Sequence, residues 1–203
     1  MSIFQRVPGH QFRQFIERYD AAKIHRRAQP PRRVQQVVAQ ADLVLASHRP
    51  RATHTAELLG APALALIDPH FREIEFPVDF SRRVPKRFRF SALTWTILAL
   101  VLWRLGYGTR CESFAIAKQR AQVAVDLLER ALGFNANRQD SNIDQLNSSQ
   151  LLEPPATLGT PHSIVLVAHG GINRLIAKEL RDRGWKGPRL PRSQHWGCTT
   201  YHQ

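Results

Sequence analysis

The sequence predicts a single α/β domain in which helices flank a mostly parallel sheet, and three observations carry that expectation. The chain has 203 residues, long enough to bury one hydrophobic core and short for two. Two apolar runs, "LVLAS" and "IVLV", are built of Val, Ile, Leu and Ala without polar alternation, the pattern of strands buried on both faces. Each run passes almost at once into a helical stretch, "PRATHTAELL" after the first and "GGINRLIAKEL" after the second, which is the strand-to-helix order of parallel sheets.

Taken in order, the chain opens with two amphipathic helices. Phe12, Phe15, Ile16 and Tyr19 recur at helical spacing, and Val34, Val37, Val38 and Ala41 repeat it after the break "QPPRR", so both helices are expected to pack on one sheet. Asp42–Ser47 is the first buried strand. The helix after it has Pro50 in its first turn and Gly60 at its stop. Ala63–Ile67 suits a further strand, and "DPHFREIEFPVDFSRRVPKR" reads as an irregular excursion. Ala92–Trp103, "ALTWTILALVLW", falls well short of the ~20 apolar residues that cross a bilayer. It predicts a buried or groove-covering helix, with Trp95 and Trp103 either packed in the core or shaping the specificity of the pocket beneath it, while Lys86, Arg87 and Arg89 beside it keep a membrane-surface role open. A long helix is expected from about Glu112 to Leu132. Residues 135–162 lose the hydrophobic period and are rich in Asn, Gln, Ser and Pro, the composition of a flexible surface loop. The stretch Ser163–Leu180 restores strand and helix, and Trp196, Thr199, Thr200 and Tyr201 suggest a closing edge strand.

The formal charge is +13, and 24 of the 29 basic residues are Arg, the side chain best shaped for planar anions such as phosphate. The arginines are scattered from Arg6 to Arg192 without a dense block, and neither zinc-finger spacing nor an RNA-binding aromatic signature accompanies them, which argues against nucleic acid as the partner. Cys111 and Cys198 lie far apart and outside any CxxC spacing, so no zinc site or disulfide scaffold is expected. The polar opening "MSIFQRVPGHQFRQF" carries no export signal. A cytoplasmic protein without a transmembrane segment, of unspecified oligomeric state, is the resulting expectation.

The two junctions, "LVLASHRPRATHTAELL" and "IVLVAHGGINRLIAKEL", each deliver basic residues to the C-terminal edge of the sheet, where ligands of open α/β sheets bind. Helix N-termini there offer unpaired N–H groups to an anion. Gly170 and Gly171 permit close backbone approach, His169 adds a donor, and Arg51 in the opening turn of its helix has a fork suited to phosphate. Each residue alone has an ordinary structural reading, as a solvated arginine or a core histidine. Together they point to an oxyanion site.

These residues carry a family resemblance. "ASHRPRATHTAELL" resembles the Ser-Pro-x-x-Arg-Ala-x-x-Thr-Ala segment of the histidine phosphatase superfamily, the phosphoglycerate mutase-like group, and "VLVAHGGINRLIA" resembles its C-terminal His-Gly segment. "FREIEFP" is similar to the segment that supplies the general acid, and "CESFAIAKQRAQVAVDLL" to the Glu-Ser helix between them. The resemblance runs from about Gly9 to the C-terminus. It implies a three-layer sandwich and a metal-independent, cofactor-free phosphomonoester hydrolysis through phosphohistidine. It also implies that Arg51, His169 and Gly170 contact the phosphoryl group and that Glu73, with Glu75 behind it, donates a proton.

One part of the pattern is missing. The family's first central strand ends in Arg-His-Gly, whose histidine is the nucleophile, whereas "IFQRVPG" would set Arg6 on the arginine and Val7 on the histidine. A valine cannot accept a phosphoryl group, and His10 stands where a helix begins. The expected outcome is a member impaired in turnover, or alternatively a non-catalytic module that binds a phosphorylated small molecule. The vacant central slot calls for a substitute strand from Ser2–Val7, for a partner, or for a start further upstream.

Overall fold

A computed structural model describes residues 4–22, 24, 28–61, 64–85, 87–108, 111–134 and 161–203. The apolar runs form parallel strands. Strand β2 (Leu43–Ser47) lies between β3 (Leu64–Asp68) and β5 (Ile164–Val167), with Leu43 opposite Ile164 and Ser47 opposite Asp68. Successive side chains of a strand point to opposite faces, and β2 follows that rule. Leu43 and Leu45 join a cluster with Val125, Leu128, Ile172 and Ile176, while Val44 and Ala46 join another with Val34, Val38, Ala52 and Ala56. Helices α5 (Phe114–Ala131) and α6 (Gly170–Asp182) therefore cover one face, and α2 (Arg32–Ala39) and α3 (Pro50–Leu58) the other.

The helix limits follow local chemistry. Pro50 fills the first turn of α3, and Gly60 behind it has φ +69°, a left-handed conformation that favours glycine. Ser113 caps α5 by accepting from the Ile116 N–H, so the long helix starts just after Glu112, close to where its pattern predicts.

A second structural unit stands beside the sheet. Strand β1 (Arg6–Pro8) pairs antiparallel with β4 (Arg89–Ser91), and α1 (Gly9–Ala21) and α4 (Ala92–Arg104) pack with that ribbon. Phe12 and Phe15 of α1 meet Trp95 rather than the parallel sheet, the Phe12 and Trp95 rings lying 6.0 Å apart. The expectation that α1 and α2 share one sheet is thus corrected: Trp95 offers α1 a larger apolar partner, and its Nε1–H donates to the Val7 carbonyl at 2.8 Å. Trp95 and Trp103 are both core residues.

Two further expectations change. Of the segment Ser2–Val7, Arg6 and Val7 join Pro8 in strand β1, which belongs to the ribbon and does not enter the parallel sheet. Strand β5 keeps β2 on one side and has no strand on its other side among the described residues. The C-terminal edge strand reduces to a single antiparallel bridge between Lys186 and His202. Residues 187–201 are irregular, turned by Trp196 at φ 58° and by Gly197, whose N–H reaches the Gln194 carbonyl. The predicted loop 135–162 lies outside the described residues except at its end, where the His162 and Ser163 N–H groups donate to the Asp42 carboxylate.

Candidate functional site

Both junctions turn at the same edge of the sheet. The last residue of β2, Ser47, is fully buried, and its Oγ lies 3.0 Å from Nε2 of His169, two residues beyond the end of β5. Parallel pairing of β2 with β5 creates this contact, because Ala46 stands opposite Val167. His169 has extended backbone and is the N-cap of α6. Among the described residues its Nδ1 has no hydrogen-bond partner, and the side chain lines a cleft with Gly170, Arg51 and Glu73. Burial first, and then the positive charges of Arg51, Arg49 and His48, depress the imidazole to about 4. The neutral ring is therefore the form at physiological pH.

Arg51 occupies the first turn of α3 as its sequence position requires. Its guanidinium lies 4.0 Å from the centre of the Tyr19 ring, with one nitrogen donating to the Tyr19 carbonyl at 2.8 Å and another to Asp20 Oδ1 at 3.2 Å. The C-terminal end of α1 thus holds the arginine in place and takes part of its fork. Arg49, at the N-cap of α3, stands nearby and approaches Glu75 at 4.0 Å.

Glu73 sits at the start of α6. Its Oε1 accepts from the Ile74 N–H at 3.0 Å and from the Ile172 N–H at 3.1 Å, and the Gly171 N–H also bonds the carboxylate. An acidic group at this position meets the unpaired donors and positive pole of the helix. Burial nevertheless raises its pKa, against the opposing effects of the three N–H groups and the charge of Arg51. Gly171 makes the arrangement possible, since a Cβ there would stand 2.5 Å from Glu73 Oε1. The tandem glycine is therefore occupied by a carboxylate of the chain itself. Glu75 is exposed and pairs with Arg72 at 3.6 Å.

The loop that carries Glu73 is held from below. Arg120 of α5 is buried and forks onto Glu112, Nε to Oε1 at 2.7 Å and Nη2 to Oε2 at 2.6 Å. Its Nη1 also donates to the carbonyls of His70 and Arg72, each at 2.8 Å. Burial pushes Glu112 up, but the hydrogen bond and charge of Arg120, and then Arg72, bring it below the usual carboxylate range.

The structure thus places His169, Gly170, Arg51 and Glu73 on one cleft, with Glu75 at a neighbouring margin. Arg51, Glu73 and Tyr19 also line a second, larger cleft of about 1490 Å³, walled by the excursion after β3 and by Leu93 and Thr96 of α4. Sequence reading missed Ser47, Arg120 and the Asp68–His70 pair. Asp68 ends β3 almost completely buried, and its Oδ1 lies 2.7 Å from His70 Nδ1. The polar residue closing each buried strand was the available signal for Ser47 and Asp68. Nothing local marks Arg120. Comparison with models of known protein families, with characterised proteins and with solved structures gave no match to this chain.

Proposed function

We propose that this chain is a histidine phosphatase-like domain, phosphoglycerate mutase-like in architecture, that binds the phosphoryl group of a small phosphomonoester and turns it over poorly. The observation that carries this reading is the convergence of His169, Gly170, Arg51 and Glu73 at the C-terminal edge of a parallel sheet. Neutral His169 offers the ring nitrogen that Ser47 does not engage, a donor in the tautomer where the Ser47 hydroxyl donates to Nε2, and Arg51 supplies the positive charge beside it. Glu73, whose pKa burial raises, is the residue the resemblance assigns to protonate the departing alcohol.

Attack on phosphorus needs a nucleophile. Val7, at the position the resemblance assigns to the attacking histidine, is buried in the β1–β4 ribbon with its carbonyl bonded to Trp95. His10 lies in the first turn of α1. Turnover of an aryl phosphate by the full chain should therefore stand close to background and fall no further in His169→Ala. Robust hydrolysis that depends on His169 would overturn the impairment.

A second reading, a non-catalytic phospho-ligand module, is favoured by one specific feature. Glu73 already holds the N-terminal amides of α6 and Arg51 already holds α1, so an incoming anion exchanges partners with the chain's own groups. Binding that changes the contacts of α1 and α6 without chemistry is the behaviour of a sensor. Measurable phosphate affinity without any turnover separates this reading from an active hydrolase.

A further inference from the structure

Residues 80–111 contain seven Lys and Arg residues and no Asp or Glu, so more than half of the net charge of +13 lies in this one segment. Helix α4 runs through it. Ala92, Trp95, Ala99 and Trp103 form its buried side. The opposite side presents Ile97, Leu98 and Val101 and runs on into the C-cap residue Leu105; these are 52%, 40%, 53% and 78% exposed. At ~100° per residue these four fall within an arc of about 100°. A helix at the surface of a globular domain ordinarily carries polar residues there. Contiguous exposed apolar surface of this kind marks an interaction site.

Basic side chains stand at both ends of the stripe. Arg87 and Arg89 precede the helix, the first 5.0 Å from the centre of the exposed Phe88 ring. At the other end lie Arg104, stacked on Phe114 at 4.0 Å, and Arg83, bonded to the Tyr107 hydroxyl. All four arginines are exposed, and none has a carboxylate partner among the described residues.

The charge pattern selects the occupant. A second copy docked on this face would bring arginines against arginines. A nucleic acid would satisfy the charges and leave the aliphatic stripe unused. A bilayer with anionic head groups meets both, because apolar side chains enter the acyl boundary while arginines remain among the phosphates. We propose that α4 is a membrane-surface helix that seats the protein on an anionic bilayer. The same helix walls the larger cleft through Leu93 and Thr96, so docking holds that cleft beside the head groups.

The test is co-sedimentation of the full chain with vesicles of phosphatidylcholine alone and of an equal mixture with phosphatidylglycerol. Binding to the mixture should exceed binding to phosphatidylcholine by about tenfold or more and weaken as salt rises. The pair Ile97→Asp and Val101→Asp should lower it by about tenfold or more, and so should Arg87→Glu with Arg89→Glu. Because these side chains are exposed, circular dichroism should stay unchanged; if the Asp pair unfolds, Leu105→Ser serves instead and should weaken binding severalfold. Failure to bind the mixture overturns the proposal, as does binding indifferent to the α4 substitutions. A dimer in sedimentation velocity abolished by the α4 changes assigns the face to a second copy. Binding of single-stranded RNA that is lost with the arginines, alongside no vesicle binding, assigns it to nucleic acid.

Discussion

His169 shows how a single side chain can report on its surroundings. Burial and neighbouring arginines hold its folded pKa at about 4, against 6.5 in the open chain. Between those values the unfolded chain binds more protons than the folded one, so stability falls as pH drops from 6.5 toward 4 and levels off below. A difference of this size corresponds to at most about 3–4 kcal/mol. Urea midpoints measured at pH 7 and pH 4 should therefore converge in His169→Asn compared with wild type. An equal pH dependence in the two proteins would show that His169 titrates normally. Gly171 gives a second prediction at this scale. A methyl group there would meet Glu73 Oε1 at 2.5 Å and Ile74 Cγ1 at 2.6 Å, so Gly171→Ala should destabilise the fold by about 1–3 kcal/mol. Chemical denaturation of that variant would show it, and relief in the double variant with Glu73→Ala would identify the carboxylate as one of the obstructing groups.

Among the elements, α5 does most to set the loop that carries Glu73. Arg120 crosses from α5 to the carbonyls of His70 and Arg72 and is neutralised by Glu112. Removing one member of a buried pair strands the other, and Arg120→Ala should cost about 3–5 kcal/mol, read as a lowered Tm. Arg120→Met, which keeps volume but not charge, should leave Glu112 with only the longer Arg72 contact at 3.6 Å and recover little of that loss. Adding Glu112→Leu to it should recover more. The strand-to-helix junctions were legible in the sequence because their signals are local: an apolar run, a polar stop, then Pro50 or the tandem glycines. The contacts between them were not legible. Ser47 meets His169 across 122 positions, and the Glu73 carboxylate reaches the Ile172 amide across 99. Arg51 was readable as a basic residue at a helix start, but the use of its guanidinium by Tyr19 and Asp20 depends on where α1 lands. That placement follows from Trp95, which draws Phe12 and Phe15 away from the sheet, and no periodicity in α1 itself distinguishes the two destinations.

On the scale of the whole molecule, a basic protein with sequence pI near 11.1 surrounds its cleft with a field that concentrates anions and weakens with ionic strength. The fold class was legible because the strand-helix alternation spans the chain, and the parallel sheet with helices on both faces agrees with it. Membership of a structural unit was less legible. Strand β1 pairs with β4 over a separation of more than 80 residues, and three-residue strands carry almost no pattern of their own. The cleft at the sheet edge is tested by calorimetric titration of inorganic phosphate into the full chain at low salt. Saturable binding is expected of the wild type, weakened about tenfold or more in Arg51→Ala and in His169→Ala through loss of a charge-assisted or buried hydrogen bond, with Arg189→Ala unchanged. No heat of binding in the wild type, or equal affinity in all four proteins, would contradict it.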